Sequence, residues 1–279
     1  MLVQYFRLSL KPVDLPDAFG SINPEGRPYS REEWLRLYFS EERVFEHRGN
    51  TFLYVPARDA PRNLPASLIV GYIARQRLLN ERTPPSAGFE PTEHGSWQGA
   101  LLVVDPTHHD DGQKLAMEVR TEIGKPLSVL NSLADGMRLS PDLPPPFDVQ
   151  VHPIAEMHSF WRFAEQHDYQ INWIMFDVAP PNMFGGADDF SNELRQLRDK
   201  NRVNRVKATL SSDSTIDVKQ PNIEEVVDYT EMGAGSIKAK TTGNQFYNSR
   251  DHVKSDRIET EQGREDFWDR LLSWMGERF

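Results

Sequence analysis

An α+β or mixed α/β fold in two domains, each a mixed sheet with covering helices, is the architecture this sequence predicts. Three observations carry the prediction. Segments with two-residue hydrophobic alternation recur along the chain, and in its second half they alternate with segments of helical period. A proline-dense stretch, "LSPDLPPPFD" at 139–148, interrupts them near the middle, where no helix or central strand can run. The 279 residues suffice for two modest cores. The expected division is an N-terminal α+β domain at 1–145 and a C-terminal α/β domain at 146–279 that ends in an amphipathic aromatic helix.

Residues 2–10 alternate and read as an opening strand. Ser30, with Glu33 three positions on, has the spacing of a capping box. It precedes a helix over 31–42 that gathers Trp34, Leu37 and Tyr38 on one side. "RVFEHRGNTFLYVP" (43–56) is two short strands about Arg48, Gly49 and Asn50, and "SLIVGYIARQRLL" (67–79) is another strand. Residues 80–96 are rich in loop formers and read as a long exposed excursion. "WQGALLVVDPTHHDDGQKLAMEVR" (97–120) is a hairpin turning at Asp111 and Gly112, because Asp-Gly readily supplies positive φ. A helix near 127–137 closes the first half.

The second half reads as strand 148–154, helix 156–166, strand 170–178, helix 189–200, strand 203–210, helix 223–231, and strands near 235–241 and 252–259. In "REDFWDRLLSWMGERF", Phe267, Leu271 and Trp274 share one helical face with Trp268, Leu272 and Met275 beside them. Together with Phe279 these aromatics exceed a narrow core stripe. Phe267, Trp268, Leu271, Trp274 and Met275 are therefore the expected partner interface, for a second copy or another protein; packing on the chain's own domain is the simpler alternative.

Charge narrows the function. The formal net charge is −10, from 42 acidic and 32 basic residues, so the whole molecule repels nucleic acid and anionic lipid. A polyanion must therefore use a local basic face. Residues 195–257 supply one, with twelve Lys and Arg against nine Asp and Glu. No apolar run reaches the ~18 residues of a membrane span, and the first residues alternate rather than form a signal-peptide core. The expectation is a cytoplasmic protein with no membrane partner. Without cysteine there is no disulfide, thiol nucleophile or thiolate metal site.

"MGAGSIKAKTTGNQFYNSRD" (232–251) crowds glycines, lysines and aromatics, but it follows a helix rather than preceding one. Asn222 and Glu225 are expected to cap that helix and Gly233 to end it, the reverse of a phosphate loop. "PPNMFGGADDF" (180–190) lies between strand and helix, yet Asp188 and Asp189 occupy the terminus an anion would need. The histidine clusters at 108–112 and 152–158 have no fixed ligand spacing, and no metal site is expected from them. No G-x-S-x-G, H-E-x-x-H or G-x-G-x-x-G occurs. One catalytic alternative remains. Asp177 at a strand end, with Asp217 and Lys219 on a presumed strand, would suit Mg²⁺-dependent phosphodiester cleavage, the one reading that calls for a cofactor.

The stronger constellation is cationic. In "VNRVKATL", Val206, Ala208 and Leu210 fall on one strand face and Arg205 and Lys207 on the other. "GSIKAKTT" repeats this, with Ile237 and Ala239 opposite Lys238 and Lys240. Arg195, Arg198 and Arg202 follow helical spacing before them, and "FYNSRDHVK" adds Phe246, Tyr247, Arg250 and Lys254. If the two strands are neighbours, four cations share one face with aromatics at its edge. That face would track a phosphate backbone while Phe246 or Tyr247 stacks on an unpaired base. The competing reading is a solvated sheet face balanced by Glu224, Glu225 and Asp228.

"RVKATLSSD" and "IEEVVDYTEMGAGSIKAKTTGN", followed by the terminal helix, resemble the C-terminal part of RexA-type phage-exclusion proteins and are similar to KwaB-type anti-phage proteins. The resemblance covers about the last hundred residues and rests on element order. It implies a bacterial, cytoplasmic, dimeric protein that binds DNA with little sequence preference, and it carries over no catalytic residue. The functional expectation is thus nucleic-acid binding within phage defence, with Mg²⁺-dependent cleavage or a purely protein-binding subunit as alternatives.

Overall fold

The structure, a computed structural model, describes residues 1–13, 23, 26–58, 67–107, 112–140, 143, 146–178, 203 and 205–258. Two antiparallel sheets and four α-helices form among them. The larger sheet has eight strands: β1 (Leu2–Pro12), β2 (Arg43–His47), β3 (Asn50–Pro56), β4 (Ile69–Arg82), β5 (Pro91–Asp105), β6 (Gln113–Glu118), β7 (Phe147–Pro153) and β12 (Ser255–Arg257). Its helices are α1 (Arg31–Tyr38) and α2 (Pro126–Arg138). The second sheet runs β11 (Phe246–Asn248), β10 (Gly235–Thr241), β8 (Ile171–Val178), β9 (Val206–Ser211), with α3 (Ser159–Gln166) and α4 (Pro221–Tyr229).

β1 organises the larger sheet because its eleven residues hold partners on both edges. One edge pairs with β6; the other takes β12 at Leu2–Gln4 and β7 at Phe6–Pro12. Phe6, Leu8 and Leu10 enter a core with Trp34 and Leu35 of α1 and Val129, Leu130 and Leu133 of α2. Alternate residues Val3 and Tyr5 join Val103, Ala116 and Ile258 on the opposite face. Helix α1 starts where Ser30 and Glu33 form the reciprocal capping box, and Arg27 adds an ion pair to Glu33. These contacts hold the Glu33 carboxyl at about 2, well below its ordinary range.

Several expectations change. Every strand pairing among the described residues is antiparallel, so the sheets there are not mixed. β9 and β10, joined through α4, do run in the same direction, but β8 lies between them and pairs antiparallel with both. Here β7, just beyond the prolines, belongs with β1, and the chain enters the second sheet at β8 before returning at β12. Residues 80–96 are exposed, as expected, but most of them are strand rather than loop. β4 and β5 stay paired from Ile69↔Val104 to Arg82↔Pro91, making a long two-stranded arm with a short 3-10 turn, Pro85–Ala87, at its tip. The strand expected at 203–210 is β9, and the one expected at 252–259 is the three-residue β12. The helix expected at 189–200 and the terminal aromatic helix, with Phe267, Trp268, Leu271, Trp274, Met275 and Phe279, lie outside the described residues. No helix among the described residues is long and apolar enough to cross a membrane.

Candidate nucleic-acid interface

The second sheet is built around β8. Ile174, Phe176 and Val178 face a core completed by Ile237 and Ala239 of β10, Phe160 and Ala164 of α3, and Ile223 and Val227 of α4. Helix α4 begins at Pro221 after an N-cap Gln220 with no side-chain cap, so Asn222 does not serve as its cap. The chain leaves α4 through a π-type turn, Thr230–Ala234, in which Gly233 takes φ 84 as the expected helix stop. Glu231 in this turn accepts from the His158 N–H at 2.9 Å, acting as a distant cap for α3. Gly235 then lets β10 close on β8: a Cβ there would lie 2.4 Å from the Asp177 carbonyl oxygen and 2.8 Å from Val178 Cα.

β9 and β10 are not neighbours, because β8 runs between them. The register nevertheless places their cations on one surface, since alternation is preserved across all three strands. Lys207 lies opposite Asp177, which lies opposite Ser236; Thr209, Met175, Lys238 and Asn248 form the next row; Ser211, Trp173, Lys240 and Phe246 form the third. This is the side of the sheet away from Ile174, Phe176, Ile237 and Ala239. Asp177 is its one carboxylate among these residues, and the Arg205 Nε and Nη2 both donate to it in a bidentate pair. Arg205 is thus committed first to Asp177. Phe246 is 59% exposed and its ring stacks on Trp173, with centroids 6.5 Å apart and planes at 25°.

The remaining expected residues scatter. Tyr247 is turned to the core, 1% exposed, with its hydroxyl 2.8 Å from Ser159 Oγ, and burial pushes that hydroxyl up to about 12. It cannot stack on a base. Lys254 lies over the Tyr5 ring at 5.1 Å, on the segment returning to β12. Arg250 sits in a 3-10 turn, Ser249–Asp251, beyond β11. Arg195, Arg198 and Arg202 lie outside the described residues, as do Asp188 and Asp189.

The catalytic set does not assemble. Asp217 and Lys219 occupy a turn after β9 rather than a strand; Asp217 accepts from the Lys219 backbone N–H and the Gln220 amide, and Lys219 Nζ lies 3.8 Å from the Tyr169 ring centroid. Ile216 is hydrogen-bonded to Ile171 at the start of β8, whereas Asp177 is near its end. Six strand residues separate those points by roughly 20 Å. Among the described residues no group of acids and histidines could hold a metal ion.

Two features escaped the sequence reading. Trp173 joins the cationic face, a position that the alternation of "INWIMFDV" already implies once Asp177 is assigned to the same side. The other is a crevice where Arg205 and Arg250 meet Arg138, Gln150 and His152, residues from distant parts of the chain. No family model matches this chain, and no curated protein or solved structure matches it.

Proposed function

We propose that the protein binds nucleic acid, without sequence preference and with unpaired bases favoured, on the outer face of the four-stranded sheet. The observation that carries this reading is the coincidence of Lys207, Lys238 and Lys240 with the Trp173–Phe246 stack on a face where the carboxylate of Asp177, the one among its described strand residues, is already neutralised by Arg205. Lys238 and Lys240 are about 7 Å apart along β10, and Lys207, two strands across and one row back, is roughly 12 Å from Lys238. Ammonium groups so spaced meet phosphates along one strand, and the exposed Phe246 ring, backed by Trp173, accepts a base regardless of its identity. An open sheet with an exposed ring suits splayed, single-stranded bases better than a closed duplex. The resemblance of the last hundred residues to RexA-type and KwaB-type proteins points to the same ligand class, and with it to a dimeric, cytoplasmic protein acting in phage exclusion.

The test is fluorescence anisotropy of the full chain with labelled single-stranded and duplex DNA across a salt series. Single strands should bind more tightly, with log K falling by roughly 2 per decade of salt if three phosphates are neutralised. The double variant Lys238→Glu/Lys240→Glu should bind at least tenfold more weakly while melting at the same temperature. Unchanged affinity in that variant would reject the reading.

A further inference from the structure

We propose that the crevice between β7, the α2 helix and the four-stranded sheet is a phosphate-binding pocket, with Arg250 and the free edge of the Arg205 guanidinium as its donors. The space amounts to about 290 Å³, lined by Arg138, Gln150, His152, Arg205, Arg250 and Asn131 among others. A liquid water takes about 30 Å³, so the space holds a tetrahedral oxyanion with several waters.

Its charge is the decisive feature. Three guanidinium groups and an imidazole converge, and no carboxylate is among the described residues that line it, in a chain where acids outnumber bases by ten. The three arginines are not equivalent. Arg138 is a fixed wall: it ion-pairs with Asp135 and Asp148 and donates to the Val149 carbonyl oxygen. Arg205 gives Nε and Nη2 to Asp177, which leaves Nη1 for a ligand. The Arg250 guanidinium has no hydrogen bond or ion pair among the described residues; the contact made by that residue is through its backbone N–H, to Asn248 Oδ1. His152 Nε2 is shielded from solvent and has no hydrogen-bond partner there either. Burial first, then the charges of Arg7, Lys11, Arg205 and Arg250, press the imidazole down to about 4. A bound dianion would satisfy Arg250 and the open edge of Arg205 together, the forked recognition that guanidinium groups give phosphate.

Access and source follow from position. A wider space of about 740 Å³ shares Leu127, Asn131 and Arg250 with the crevice and runs along the start of α2. On the other side, the Asp177–Arg205 pair belongs to the same sheet row as Lys207, four residues along β8 from the Trp173–Phe246 row, or about 13 Å. A phosphate arrives either as a free ion or as the end of a strand lying along the lysine face. Only the second source rests on the proposed function.

Calorimetry of the full chain with inorganic phosphate, beside the anisotropy assay with oligonucleotides carrying or lacking a terminal phosphate, separates these cases. Millimolar phosphate should bind, Arg250→Gln should weaken it at least tenfold with unchanged melting, and Lys238→Glu/Lys240→Glu should leave it intact. The His152 imidazole, followed by NMR, should titrate at higher pH when phosphate is present. Tighter binding of the phosphorylated strand, lost in Arg250→Gln, identifies a strand end as the source. Phosphate binding without any oligonucleotide binding supports the pocket and rejects the lysine face. Oligonucleotide binding indifferent to terminal phosphate, with no heat from phosphate and an unmoved His152, overturns the pocket and leaves the lysine face standing.

Discussion

The larger sheet packs apolar side chains on both faces, whereas the smaller sheet packs its apolar core on one. In the larger, Phe6 and Leu8 pack under the helices while Val3 and Tyr5 join a second apolar cluster behind them. Even its cations are drawn inside, with Arg7 and Lys11 buried in β1. In the smaller sheet the apolar half goes to α3 and α4, and the other half presents Lys207, Lys238, Lys240 and an exposed aromatic ring. A buried cation belongs to the fold, because removing or stranding it costs stability. Cations that stay outside a core are free to serve a ligand, which is why position relative to the core, rather than local charge count, separates the two kinds.

The sharpest way to break that comparison is to truncate the core side of β11. Tyr247→Ala removes a ring packed against Phe160 and Phe163 and strands the Ser159 hydroxyl, so urea unfolding should show a loss of about 3–5 kcal/mol. A loss under about 1 kcal/mol would mean the faces of β11 are assigned the wrong way round.

Acid probes the junction between the sheets. His152 on β7 remains neutral in the folded protein down to about pH 4, while an unfolded chain protonates it near 6.5. Between those values the unfolded state binds more protons, so stability falls as pH drops from 6.5 and levels off below 4. The loss is on the order of 3 kcal/mol. His47 is also lowered, by burial first and then by Arg48 and Arg75, and adds to the same limb; Glu33 acts lower, between 4.5 and about 2. Comparing His152→Gln with the parent chain at pH 7 and pH 4.5 isolates the His152 share, and parallel acid limbs would remove it.

Local pattern alone reaches a definite depth in this molecule. The alternation in "GSIKAKT" marks β10 at Gly235–Thr241, the Ser30–Glu33 spacing finds its capping box, and Gly233 stops its helix. Each is a property of a few consecutive residues. Alternation says which face a side chain takes but not which strand lies beside it, so β8 between β9 and β10 was invisible. For the same reason Phe246 and Tyr247 could not be told apart until Ala239 was seen opposite Tyr247. Residues 80–96 look like loop by composition, yet pairing with β4 makes strand of Pro91–Ser96. The crevice joins positions 138, 152, 205 and 250, which nothing local links.

A smaller effect tests whether the larger sheet's helix is held by its cap as well as by its core. Ser30→Ala deletes the acceptor for the Glu33 N–H, and thermal or urea unfolding should register about 1 kcal/mol. A null result would leave the buried Trp34, Leu35 and Tyr38 to anchor α1 without its cap.

The least costly substitution should be Phe246→Ala, one residue from the most costly. Its ring is mostly exposed and touches Trp173 from the solvent side, so unfolding should change by no more than about 0.5 kcal/mol. Binding should respond differently. Stacking on an aromatic contributes about 1–3 kcal/mol per base, so affinity for single strands should fall roughly tenfold. Because no phosphate contact is lost, the salt slope should stay where it was, whereas Lys238→Glu/Lys240→Glu should flatten it by more than 1. Two variants on one surface, one shifting the binding curve in parallel and the other changing its slope, would assign the ring to bases and the lysines to phosphates. If Phe246→Ala left affinity unchanged, the aromatic half of the face would have no part in recognition, and the lysines alone would describe a simple polyanion surface.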